Sequence, residues 1–257
     1  MLDLVVDGLI YALQPHGGIS RAFSNLLAAL SRREDVLVTV CLPKVLQGDP
    51  NLPAAVRRVR TPDPPRLRPG RLFGRANAAL AERVSRRFWA QWRKGVFHST
   101  HYSAPAGLGI PQVQTMQDCI YEALPELFTG PSAEAHLRDK AACVASASAV
   151  VCPSEHSLRD TRRFYDLAGR RARVILYAVD DLFREERPQE DTRRLRQRLT
   201  AGEPYLLHTG SRYLHKNFGA LAAVYSRWPG RRHYRLASVG GGPLTGQEAA
   251  LLRGLGV

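Results

Sequence analysis

The sequence predicts an α/β protein built as two domains, and three observations carry that prediction. Short apolar runs alternate with stretches whose apolar residues recur at helical spacing, the pattern of repeated strand–helix units. Small-residue turns, Gly17-Gly18 and Gly210-Ser211, join a strand to a helix start in each half of the chain. A charged stretch, Arg184 to Asp191, reads REERPQED; it carries a proline and no apolar period, and so marks a linker. The 257 residues are 44% hydrophobic, enough for one large α/β core or two smaller ones.

Leu2 to Tyr11 reads as the first strand, followed by the turn Gln14 to Gly18. A helix then carries Ile19, Phe23, Leu26, Leu27 and Leu30 on one face. Strand, glycine turn and helix resemble a dinucleotide-type opening, but G-x-G-x-x-G is absent, so a nicotinamide site is not expected. Val36 to Leu42 is a second strand, and Pro43 to Gly70, rich in Pro and Arg, is an irregular connection. Arg71 to Lys94 returns to helical spacing, with Phe73, Leu80, Val84, Phe88 and Trp92 toward one side and six cations mostly elsewhere. Such a basic face suits either solvent or an anionic membrane.

Val96 to Thr100 and Gln112 to Met116 are strands ending at His98-Ser99 and Gln117-Asp118. A helix over Ala133 to Ala147 leads to a strand at Ala149 to Cys152. Ser154 then stands as the N-cap of the next helix. Beyond the linker, a short helix runs to about Leu199. Tyr205 to Leu207 reads as a buried strand, and Phe218, Leu221, Ala222, Tyr225 and Trp228 fall at helical spacing. Arg235 to Val239 is a last strand, and Leu244 to Leu255 suggest a last helix.

The turn at Gly210-Ser211 places Arg212 and Lys216 at a helix start. Amides, a positive dipole end and two cations there suit a phosphate, and a planar fork with a compact charge can hold a diphosphate. Lys and Arg number 37 against 23 acids, a formal charge of +14, which suggests an anionic partner. The four cysteines, Cys41, Cys119, Cys143 and Cys152, form no C-x-x-C pair and have no histidine at zinc spacing. Buried, reduced thiols and no metal are expected. No apolar run approaches the roughly 20 residues of a membrane-spanning helix, and the start MLDLVVDGLIYAL has no basic leader.

G-S-R-x-x-x-K-N-F at Gly210 to Phe218 resembles the first βα loop of the second domain in family 4 of the retaining nucleotide-sugar glycosyltransferases. The likeness is nearest to the branch that adds mannose-like sugars to bacterial surface polysaccharides. Gly17-Gly18, His98-Ser99, Pro125-Glu126-Leu127-Phe128, P-S-E-x-S-x-x-D from Pro153 and VILYAVDDLF at Val174 to Phe183 fall in the family's order. The chain departs from it at Gln117, where T-x-H-D has histidine, and at Tyr177-Ala178, where Asn-Gly is usual. Glutamine can hydrogen-bond a sugar hydroxyl but cannot take up a proton.

The resemblance implies a GT-B fold of twin Rossmann-like domains. The first, residues 1–183, would be complete, a linker and helix would cover 184–200, and a partial second domain 201–257. It implies retaining transfer of a mannose-like sugar from a nucleoside-diphosphate sugar to a saccharide or lipid-linked acceptor, in polysaccharide or lipopolysaccharide synthesis. Arg212 and Lys216, with Gly17 and Gly18, would bind the donor diphosphate. His98 would face the acceptor, and Gln117 and Asp118 would stand at the reacting sugar. No metal or other cofactor is implied. The expected setting is the cytoplasm, with a peripheral place on the inner membrane face as a variant. Family members continue through a base-binding loop and an acidic motif that this sequence does not reach, so an incomplete, inactive form is the expectation. The rival reading is a non-catalytic relative that holds an anionic glycan or membrane surface. Nucleic acid is disfavoured because the aromatics do not interleave with the basic residues as stacking platforms.

Overall fold

The computed structural model describes residues 1–14, 16–46, 50–64, 68, 73–179 and 181–257. Seven strands form one parallel sheet: β1 (Leu2–Asp7), β2 (Val36–Leu42), β3 (Arg57–Arg60), β4 (Val96–Ser99), β5 (Gln112–Thr115), β6 (Ala149–Cys152) and β7 (Arg171–Val174). Their spatial order is β3-β2-β1-β4-β5-β6-β7. The chain winds outward on one side of β1 and then restarts at β4 on the other, so the order reverses between β1 and β4. This doubly wound order sets the ligand crevice of such sheets at the carboxyl ends of the two strands.

Strand β1 is buried from Leu4 to Asp7, as a central parallel strand should be. Successive side chains point to opposite faces. Val6 packs with Phe23 and Leu27 of α2 (Gly18–Leu30), whereas Val5 packs with Phe97 and with Trp89 of α3 (Gly74–Trp89). A third cluster joins Cys143 and Val144 of α5 (Pro131–Ser146) to Val150, Cys152 and Leu158, the last on α6 (Glu155–Phe164). Each wholly buried residue of this size contributes about 1.5–3 kcal/mol. Ser154 caps α6 as expected, its Oγ accepting from Ser157 N–H at 3.0 Å.

The chain divides into two units, Met1–Val179 and Asp180–Val257. In the second, α7 (Gln189–Thr200) precedes two parallel strands, β8 (Tyr205–Thr209) and β9 (Arg235–Val239), with α8 (Phe218–Arg227) between them and α9 (Gly246–Gly254) after them. Phe218, Ala222 and Tyr225 bury one face of α8.

Four expectations need correction. The first strand stops at Asp7, because Gly8 turns the chain into a short helix, α1 (Leu9–Leu13), whose Ile10 and Tyr11 join the core. The irregular connection holds the edge strand β3, and Arg171 to Val174 adds β7. The basic helix spans Gly74–Trp89 and stops short of Lys94; the first two residues of its pattern, 71 and 72, lie outside the described residues, as do 65–67, 69 and 70 of the connection before it. Leu206 and Leu207 are 39% and 54% exposed, so β8 is not a buried strand.

Candidate functional site

The site in the first unit begins with Asp7, the last residue of β1. Its buried carboxylate accepts from Thr100 N–H at 2.9 Å and from the hydroxyls of Thr100 and Ser103, both in the loop after β4. Thr100 Oγ1 in turn accepts from Ile10 N–H at 3.1 Å. The loops after the two strands at the reversal are thus tied through one acid. Beside it opens a cavity of about 470 Å³ lined by Asp7, Cys41, Phe88, Trp89, Ser103 and Pro105 among others. Asp7 escaped the sequence reading because the strand was drawn through it; the usable signal was an acid followed by glycine at a strand end.

Gly17 is the N-cap of α2, donating to Ser20 Oγ at 3.1 Å and accepting from it at 3.0 Å. Gly18 is the first helical residue, and a Cβ there would meet nothing within 4 Å. The protein's own packing therefore does not require glycine at that position. This end of α2 has the positive character of a helix N-terminus.

His98 is half-buried on β4, its ring edge-on to Phe23 at 5.1 Å and its Nε2 2.8 Å from Thr115 Oγ1. Burial pushes its pKa down to about 4, against a weaker upward pull from Asp7. The unfolded value is near 6.5, so this buried neutral base costs nothing above about pH 6.5, and stability is lost as pH falls toward 4. Burial lowers His101 and His136 in the same direction. Melting midpoints are expected to fall between pH 6.5 and 4, and His98→Phe should flatten part of that slope; an unaltered slope would count against a buried neutral His98.

Gln117 and Asp118 follow β5. Gln117 Oε1 accepts from Tyr177 OH at 2.6 Å, its N–H donates to Tyr102 OH at 3.3 Å, and its carbonyl accepts from Ser157 Oγ at 3.0 Å. The two departures from the family pattern, Gln117 and Tyr177, are therefore bonded to one another. Among the described residues, Gln117 Nε2 and His101 Nδ1 are buried without a hydrogen-bond partner. Asp118 is exposed, its Oδ1 accepting from Ile120 N–H at 3.2 Å.

Behind this loop lies an unforeseen polar core. Lys140 is wholly buried, its Nζ 2.7 Å from Glu122 Oε1 and 2.9 Å from the Asp118 carbonyl, and 5.2 Å from the centre of the Tyr102 ring. Tyr165 OH donates to the same oxygen, Glu122 Oε1, and Lys140 Nζ also donates to Oε2 at 3.0 Å. His136 stacks near Tyr121 at 4.2 Å and meets Tyr102 edge-on at 5.2 Å. A lysine on an apolar helix face and an acid in a short helix gave no sequence signal of their pairing.

In the second unit, Arg212 follows β8, and its guanidinium, 4% exposed, is engaged by Glu248 and by carbonyls of the loop after β9. Lys216 is exposed. The four cysteines are free and buried, as expected, and burial raises Cys41 and Cys143 to about 12 and Cys119 to about 11. Among the described residues no group of three His, Cys, Asp or Glu could hold a metal, and no helix is long and apolar enough to cross a membrane.

The whole chain resembles several solved structures at low identity. WaaG, a glycosyltransferase involved in lipopolysaccharide biosynthesis, superposes with a TM-score of 0.70 at 16% identity, over 99% of this chain and 67% of WaaG. Anabaena HepE, solved with UDP-glucose, gives 0.62 at 15% identity over 99% of this chain and 65% of its own. A UDP-GlcNAc 2-epimerase from Neisseria meningitidis bound to UDP-GlcNAc gives 0.57 at 11%, over 99% and 69%. The chain thus spans about two thirds of the length of these structures. They establish the GT-B fold. No curated protein matches the sequence. The family model described as Glycosyltransferase Family 4 matches residues 16–181, from the Gly17-Gly18 turn past the last strand of the sheet; the chain belongs to that family.

Proposed function

We propose that this protein serves retaining transfer of a sugar from a nucleoside-diphosphate sugar to a saccharide or lipid-linked acceptor in surface-polysaccharide or lipopolysaccharide synthesis. The observation that carries the reading is that His98, Gln117 and Asp118 lie at the carboxyl ends of β4 and β5, next to the point where the strand order reverses and where such sheets bind ligands, while Gly17-Gly18 open the helix that follows β1 and α1. His98, neutral at physiological pH, and Gln117 would hydrogen-bond acceptor hydroxyls, and Asp118 would orient the reacting sugar. None of them needs to remove a proton, since in a retaining reaction of this kind the leaving phosphate can take the acceptor's proton on the same face. Lys216 and the loop after β8 would meet the diphosphate, where negative charge grows as the glycosidic bond breaks.

The motif around Arg212 favours a mannose-like sugar, while HepE and the epimerase carry uridine nucleotides, so both GDP and UDP belong in the test. Helix α3 carries Arg75, Arg83, Arg86 and Arg87, with Trp89 its buried residue, which supports contact with the anionic surface that a lipid-linked acceptor would occupy. The experiment is a melt of the chain against GDP, UDP and ADP, with Lys216→Ala as control. At about 100 times Kd a ligand that binds only the folded form stabilises it by about 2.7 kcal/mol. One nucleotide should raise the midpoint, and the variant should lose most of the rise. No rise with any of them from a folded chain would overturn the donor-site reading.

A further inference from the structure

Arg212 was expected to grip phosphate, yet its guanidinium is already surrounded by protein acceptors. Nε donates to Glu248 Oε1 at 2.9 Å, Nη1 to the Gly240 carbonyl at 2.8 Å, and Nη2 to the carbonyls of Gly242 at 3.0 Å and Pro243 at 2.9 Å. The Gly241 carbonyl lies farther from Nη2, at 3.4 Å. All three nitrogens are used, and the side chain is 4% exposed. An arginine has five N–H groups in one fixed plane. With this many committed, it has little left for a bidentate contact with a diphosphate.

The acceptors form one loop with an unusual backbone. Gly240, Gly241 and Gly242 have φ of +98°, +72° and +72°, a run that only glycine adopts without strain. A Cβ on Gly241 would lie 3.2 Å from Arg212 Nη1, so the glycine also makes room for the guanidinium. The loop is locked to its neighbour as well, since Gly210 N–H donates to the Val239 carbonyl at 2.8 Å. In a trans peptide the carbonyl and the following amide point in opposite directions. Carbonyls 240 and 241 aimed at the guanidinium therefore turn the amides of Gly241 and Gly242 away from it, and successive amides facing one way make an anion-binding concavity.

Glu248 fixes the arginine. Its Oε2 accepts from Thr245 N–H at 2.7 Å, and Thr245 Oγ1 accepts from Glu248 N–H at 3.2 Å, a capping box at the start of α9. Oε1 thus serves Arg212 Nε, while Oε2 serves the helix cap and lies 3.5 Å from Arg212 Nη2.

We propose that Arg212 is a positioning residue: anchored by Glu248, it shapes the Gly240–Pro243 loop so that the amides of Gly241 and Gly242 receive a phosphate, leaving direct charge contact to Lys216. The phosphate part rests on the donor reading above; the shaping part does not. The rival is a latch, in which Arg212 leaves Glu248 to hold the phosphate itself.

Glu248→Gln separates the two. An amide keeps one acceptor oxygen and turns the other into a donating NH2, so in the variant a donor faces either the Thr245 N–H or Arg212 Nε and one of the two bonds is lost. Amide hydrogen exchange over Gly240 to Thr245 is measured in the full chain for wild type, Glu248→Gln and Arg212→Lys, alongside titration with UDP and GDP. Positioning predicts exchange about tenfold or more faster in that loop in both variants, with β8 and β9 unchanged, because local opening follows the bonds that close it. It also predicts weaker nucleotide binding in Glu248→Gln. Unchanged loop exchange in both variants would overturn the proposal, and so would tighter nucleotide binding in Glu248→Gln, the signature of a released latch. If wild type binds neither nucleotide, the donor reading fails, and the exchange data still decide the role of Arg212.

Discussion

Replacing Lys140 with methionine is expected to lower the unfolding free energy by about 3–5 kcal/mol, the range for removing one partner of a buried ion pair. Lys140 is wholly enclosed and Glu122 is 9% exposed, so the variant leaves a carboxylate with little water and no cation. It also strips the Asp118 carbonyl of its donor. The loss should be read by urea denaturation, and a cost below about 1 kcal/mol would mean that Glu122 finds water or another donor. Adding Glu122→Leu should recover part of the loss, because a buried pair exchanged for apolar residues is often near neutral. Recovery should be incomplete, since Tyr165 OH also gives its hydrogen bond to Glu122.

Asp7→Ala is expected to cost about 2–4 kcal/mol, through loss of hydrogen bonds to a charged group and a buried amide left unpaired. The bonds it breaks join the end of β1 to the loop after β4. That loop carries His101 and Tyr102, and Tyr102 OH accepts the Gln117 amide, so the damage should spread to the second candidate strand end. Asp7→Asn keeps one acceptor and should lose less. Equal stability of wild type and Asp7→Ala in denaturant would show that the two loops are held by packing alone.

The order of strands and helices along the chain could be read from the sequence wherever a strand is buried. Val36 to Leu42 and Ala149 to Cys152 are apolar because both of their faces are covered. Strands β3 and β7, RRVR and RARV, lie at the two edges of the sheet, where arginine is tolerated and the apolar signal disappears. The run from Leu2 to Tyr11 hid a change from strand to helix because both halves are core. At the site, single residues such as His98 and Gln117 were legible as strand-end polar groups. Their partners were not: the Gln117–Tyr177 and Lys140–Glu122 contacts join residues far apart in sequence, which spacing does not reveal. The same holds for Arg212. A cation at a turn could be seen, but not the carbonyls that surround it.

The placement of β1 between β2 and β4 has a consequence for how the chain reaches its native state. Leu4 pairs with Val96, and all six pairings in the large sheet are parallel, so no hairpin can nucleate it. Such non-local pairing gives slow folding, of the order of milliseconds to seconds. On the ribosome the delay is longer. At about 5–20 residues per second, synthesis from Leu42 to Ser99 takes roughly 3–11 s. During that interval β1 and β2 can associate, while the flank of β1 that will receive β4 stays bare. That flank is a period of vulnerability for the nascent chain, in which holding by a chaperone would matter more than at any later stage.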